Sequence, residues 1–338
     1  MLVIGVSLAF LTLATVNCRP NFAYNQSVPY TNLQSESFLT HSPDEFKPLD
    51  IFMSYNETIQ WMAALEAKYP DKCKVEPIGR SYEGRDINAM VINKQPSKKV
   101  FVVANMHARE WAAMTSAIYI IHELILNSNN YPEASTFQWI VVPLPNPDGY
   151  MYTRLDRLWR KNRAPQQDNA TGVDLNRNFA YKWELNLNEE DDDPHKETYR
   201  GPSAFSELES RTISDYLNQN SNSIVLYVDL QTFGEYILIP WSYTKDSAPN
   251  TDFLMSVAHA GAKAIISQSY EYYVIGTLSD LAHPVSGSSM DYCYFVGVKA
   301  CIIILLTNEE YEIAPSTIIP YGQIALAAVQ AMAVKAGE

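Results

Sequence analysis

The chain has 338 residues, 47% of them hydrophobic, which is enough for one large domain with a sizeable core. Its formal net charge of −13 argues against nucleic acid or an anionic membrane surface as a partner. Beyond the first residues, no stretch reaches the ~18 uninterrupted apolar residues of a membrane-spanning helix.

Residues 1–18 read as a secretory signal peptide without a basic start: an apolar run to about Val16, closed by Asn17 and Cys18. Residues 19–48 are polar and aromatic without periodicity and read as an irregular arm, leaving 49–338 as the folded domain. Helical spacing begins near Tyr55 and stops by Tyr69-Pro70. Strands are expected around Val75–Ile78, Ile87–Ile92 and Val100–Asn105, then a helix over 111–127 and a buried strand at Phe137–Leu144. Pro145–Tyr150 reads as a turn, and 155–195 as loop, with Glu189–Asp193 as a solvated acidic run. Helices follow at 206–219, 250–267 and 319–335, with strands at Ile224–Leu230, Tyr236–Ile239, Tyr272–Ile275 and Cys301–Leu306. The alternation predicts an α/β fold on a mixed, largely parallel twisted sheet covered by helices.

Secretion is also favoured by three glycosylation sequons, at Asn25, Asn56 and Asn169. With Cys18 at the presumed cleavage region, Cys73, Cys293 and Cys301 remain. That odd count leaves at least one thiol free or bonded between chains. Cys293 and Cys301 read as buried small hydrophobes.

The chemistry concentrates at the end of the third strand. His107 and Glu110 stand three apart and can face one point, giving two of the three protein ligands that a catalytic zinc site requires. The remaining histidines do not supply an obvious third. His122 and His259 lie on helical apolar patterns, His41 lies in the arm, and none falls on Ile224–Leu230. A second constellation, Trp159–Arg163 followed by Asp174–Asn178, places Arg and Asn donors in loops and suits a carboxylate.

In order, these blocks resemble the zinc carboxypeptidases of the carboxypeptidase A/B subfamily. The match covers about residues 50–338. It rests on Gly79–Arg85, His107–Trp111, Asn146–Tyr150, Arg157–Arg163, Gly172–Asn178, Tyr199–Pro202 with Ser206-Glu207, and Ser286–Tyr292. The resemblance implies an eight-stranded mixed sheet between helices. It also implies zinc on His107, Glu110 and a further His, Arg160 at the oxyanion, Asn176 and Arg177 on a substrate's terminal carboxylate, and Arg109 along the approach. Three departures stand out. Counting back nine residues from Pro240, the further zinc His becomes Gln231, a poor ligand beside imidazole. Counting eight from Gly297, the general-base Glu becomes Leu305. The mobile active-site Tyr becomes His283. The family's usual disulfide positions match Ala170 and His195, neither a cysteine, and the arm is far shorter than the family's pro-segment.

The reading is a secreted, extracellular, catalytically inactive relative that keeps a pocket for peptide or protein C-terminal carboxylates, with zinc binding weakened. The alternative is an active zinc carboxypeptidase in which Gln231 or Asp229 completes a distorted metal site and Glu309 or Glu310 replaces the base. Met290, at the specificity-pocket position, then implies release of an apolar or aromatic C-terminal residue.

Overall fold

The computed structural model describes residues 42–307 and 311–338. The presumed signal peptide, His41, Asn25, Cys18, Glu309 and Glu310 lie outside the described residues. Of the expected arm, Pro43–Phe46 form a short 3-10 helix, and Phe46 packs on the core.

The elements in chain order are α1 (Tyr55–Lys68), β1 (Cys73–Arg80), β2 (Asp86–Ile92), β3 (Lys99–Ala104), α2 (Trp111–Leu126), β4 (Gln138–Val142), α3 (Pro147–Tyr152) and α4 (Leu208–Asn220). There follow β5 (Ile224–Thr232), β6 (Tyr236–Ile239), α5 (Thr251–Ser269), β7 (Val274–Thr277), α6 (Leu278–Leu281), α7 (Ser289–Phe295), β8 (Cys301–Leu306) and α8 (Ile318–Gly337). The eight strands form one sheet in the order β1-β2-β4-β3-β5-β8-β6-β7. Pairs β3/β4, β3/β5, β5/β8 and β6/β7 are parallel, whereas β1/β2, β2/β4 and β6/β8 are antiparallel.

Alternate strand residues build the two faces. Val100, Val102, Leu226, Val228, Ile302 and Ile304 pack toward Ala113, Ile118 and Val329 of α2 and α8. Phe101, Val103, Tyr227 and Ile303 pack toward Ile213 of α4 and Met290 of α7. The central strands are covered on both faces, which explains why they read as continuous apolar runs. Helix α8 is long and apolar enough to cross a membrane by length and composition, yet half of its apolar window is buried in the domain.

Three expectations need correction. Pro147–Tyr152 is a short helix rather than a turn: Asn146 caps it by accepting from the Gly149 N–H at 3.0 Å, and Pro147 takes the first position. The acidic run is not wholly solvated, since Asp191 is 3% exposed. Cys293 and Cys301 form a disulfide, with Cα atoms 6.1 Å apart, and Cys73 is a buried free thiol.

Strand order places the crevice. From β3 the chain crosses to β4 on one side, while β5 lies on the other. The carboxyl ends of β3 and β5 therefore flank a topological switch point, where α/β sheets bind ligands.

Candidate functional site

Just past the end of β3 stands Asn105, whose positive φ of 57° is a left-handed conformation that Asn tolerates. Its Nδ2 donates to the carbonyls of His107, Ala108 and Glu110 at 3.2, 3.2 and 3.1 Å. One side chain thus gathers the loop that carries both expected ligands.

His107 is 2% exposed and bridges two carboxylates. Its Nδ1 faces Glu110 Oε1 at 2.9 Å, and its Nε2 faces Asp174 Oδ1 at 3.0 Å. Burial and the Arg160 guanidinium oppose its protonation, but Glu110 and Asp174 outweigh them and raise its pKa. The other Glu110 oxygen accepts from the Thr232 N–H at 3.1 Å, tying the loop to β5.

Asp174 is the hub of the second constellation. It is fully buried and accepts from Arg160 Nε at 2.9 Å, Arg160 Nη2 at 2.7 Å and the Asn176 N–H at 3.0 Å. Burial alone would raise its pKa, yet Arg160, His107 and Arg177 hold it well below the usual carboxylate range. Only Arg160 of the run Trp159–Arg163 turns to this centre. Lys161 donates to the Pro194 carbonyl, Asn162 donates to Glu207 and Glu209, and Arg163 lies over Tyr152 and Trp159.

Asn176 and Arg177 follow directly and are 4% and 8% exposed. The Asn176 Oδ1 accepts from the Ser289 N–H at 2.8 Å. Arg177 Nη1 donates to the Asn176 carbonyl at 3.1 Å, whereas its Nε is buried without a hydrogen-bond partner, 3.9 Å from Asp191. Gly287 lets the loop before α7 press on this segment: its φ is +68°, and an added Cβ would meet the Arg177 carbonyl at 2.3 Å. Arg109 is held by Glu197 at 3.0 Å, and its guanidinium lies 4.2 Å from the Tyr311 ring centre. Met290 is fully buried in α7, and His283 is exposed on the preceding loop.

Gln231 and Leu305 are register partners across β5 and β8, so the residues expected at the third-ligand and general-base positions stand side by side. Gln231 Nε2 donates to Asp229 Oδ2 at 2.6 Å. Asp229, fully buried, also accepts from Ser289 Oγ at 3.1 Å, while burial pushes its pKa up to about 7.

The comparisons with known proteins fit this arrangement. Residues 58–328 match the zinc carboxypeptidase family. The chain belongs to that family. It is 35% identical over 246 residues to a zinc carboxypeptidase of Simulium vittatum, covering 70% of this chain and 79% of that one. It is 31% identical over 293 residues to carboxypeptidase B of Astacus astacus, covering 83% and 96%. An inactive metallocarboxypeptidase of Talaromyces marneffei is 32% identical over 339 aligned positions, which span 88% of this chain but only 55% of that protein. The solved structure of carboxypeptidase A from Helicoverpa armigera matches with a TM-score of 0.80 at 29% identity, covering 85% of this chain and 74% of that one.

A zinc carboxypeptidase site can therefore be tested against these donors. His107 and Glu110 converge, and the His107–Asp174 contact has the form in which a ligating histidine hands its second nitrogen to a carboxylate. The third position does not fit. Gln231 offers a neutral amide whose nitrogen is bound to Asp229, in place of an imidazole or carboxylate. Leu305, beside it, has no atom that can accept a proton. Asn105, which the sequence did not single out, shapes this centre together with Asp174, placed in the second constellation without a role of its own, and Asp229, expected only as a substitute metal ligand. The Asp174-x-Asn176-Arg177 spacing was the available signal for Asp174.

Proposed function

We propose that this protein is a secreted, carboxypeptidase A-like binding protein that recognises peptide C-terminal carboxylates and does not hydrolyse them. One observation carries the reading: donors stand without protein acceptors beside a metal locus that lacks its third ligand. Arg177 Nε is buried without a hydrogen bond, with Asp191 3.9 Å away, and the one side-chain hydrogen bond of Asn176 among the described residues runs through its Oδ1, leaving Nδ2 as a donor. Arg160, tied to Asp174 through Nε and Nη2, keeps Nη1 as a further donor at the same centre.

Loss of turnover is argued from Gln231 and Leu305. A missing general base alone forfeits roughly 10²–10⁴-fold in rate. Secretion is supported by the Cys293–Cys301 disulfide, which belongs to an oxidising compartment, and by exposed sequon residues at Asn56 and Asn169. The relative named inactive lends the reading a precedent.

The test is zinc content of the purified protein, combined with release of Phe or Leu from the C-terminus of a peptide. The reading expects substoichiometric zinc and no release. One zinc per chain, with release abolished by a chelator, would instead establish an active carboxypeptidase.

A further inference from the structure

Asp229 faces the same side of β5 as Gln231 and is wholly buried. Its Oδ2 takes two hydrogen bonds, from Gln231 Nε2 at 2.6 Å and from Ser289 Oγ at 3.1 Å, while its Oδ1 has no partner. Ser289 opens α7, and its own N–H donates to Asn176 Oδ1 at 2.8 Å. An amide whose oxygen is committed in this way has a fixed orientation, with its NH₂ turned away from the donor. A continuous chain of bonds therefore runs from the position of the missing metal ligand to the amide that would meet a carboxylate.

We infer that Asp229 is a positioning residue of the carboxylate pocket: through Ser289 it holds the start of α7, and with it the Asn176 amide, so that both Asn176 Nδ2 hydrogens are presented to the ligand. The inference rests on the recognition reading above. It gives Gln231 a role of its own, as the donor that fixes the Asp229 carboxylate. The strand ends are then ordered by a carboxyl group belonging to the chain, and the pocket needs no ion to be assembled.

The experiment is calorimetric titration of the full chain, in chelator, with a peptide ending in Phe and with its C-terminal amide. The readout is the ratio of the two affinities, because a loss of folded protein lowers both alike and leaves the ratio unchanged. Asp229→Ser is expected to cut the ratio about tenfold, the effect of one hydrogen bond to a charged group. Ser289→Ala should do the same, and the double variant should lose no more than either, since both break one link. Asp229→Asn keeps an oxygen acceptor for both donors and should retain most of the ratio. An unchanged ratio in Asp229→Ser, or in Ser289→Ala where the former does not fold, overturns the inference while leaving the recognition reading intact. A wild-type ratio of one removes that reading and the inference with it.

Discussion

Replacing Gln231 by His tests the proposal that Gln231 leaves the metal locus without its third ligand. The substitution breaks the 2.6 Å bond from Gln231 Nε2 to Asp229, whose other oxygen already lacks a partner. Above pH 7, where Asp229 is ionised, a hydrogen bond to a charged group contributes about 1.5–3 kcal/mol, so the metal-free variant should lose about 2 kcal/mol of stability there. For a domain of this size that is a fall of roughly 4 °C in Tm. In return, an imidazole joins His107 and Glu110, giving a set of three ligands suited to zinc. Zinc at a thousand times its Kd would then add about 4 kcal/mol, or roughly 8 °C. Thermal unfolding in chelator and in excess zinc, with zinc counted per chain, reads both effects. The wild-type protein should melt alike in the two conditions. The variant should still not hydrolyse peptides, because Leu305 remains beside position 231. A wild-type protein that gains as much from zinc as Gln231→His would refute the reasoning, and so would a variant that gains nothing.

Other consequences can be measured directly. Arg177→Ala should weaken binding of a free-carboxylate peptide by about a hundredfold, the cost of roughly 3 kcal/mol for truncating a buried charged partner, and calorimetry would show it. Stability should fall as pH rises from about 5 to 8. Burial pushes Glu209 and Asp291 up to about 7, so between the ordinary carboxyl value and 7 the folded state binds the extra protons. Their contribution is complete at low pH and lost as pH passes 7. Glu209→Gln should remove up to about 3 kcal/mol of that slope, and an unchanged Tm–pH profile would show that Glu209 titrates normally. Breaking the Cys293–Cys301 bond as a double Ser variant should lower stability by about 2–3 kcal/mol without altering the order of the strands, as chemical unfolding and circular dichroism would report.

The sheet was legible because its central strands are apolar runs of five to nine residues bounded by turns, and the helices between them carry a regular apolar spacing. His107 and Glu110 were legible because their spacing falls within one loop. Less visible were groups joined only by the fold. Asp174 meets His107 across 67 residues, and Thr232 meets Glu110 across 122. Neither contact leaves a local pattern. The disulfide escaped because the cysteines, eight residues apart, each look apolar in context, and only the return from α7 into β8 brings them together. The short helices α3 and α7 carried start signals that were readable after all. Asn146-Pro147 opens one, and Ser288, which accepts from the Asp291 N–H, opens the other. Their length of six or seven residues kept an apolar period from forming. Asp191 was misread for a similar reason: a run of acidic residues conceals the one that folds inward.

The central claim is recognition of a carboxylate without hydrolysis. It is met most directly by incubating the protein with a peptide ending in Phe and with its amide, measuring affinity by calorimetry and intact peptide by mass spectrometry. The account predicts binding of the acid, at least tenfold weaker binding of the amide, and full recovery of uncleaved peptide, because it takes Arg177, Asn176 and Arg160 as the carboxylate donors and Gln231 and Leu305 as standing in place of ligand and base. Equal binding of acid and amide, or release of free Phe, would contradict it.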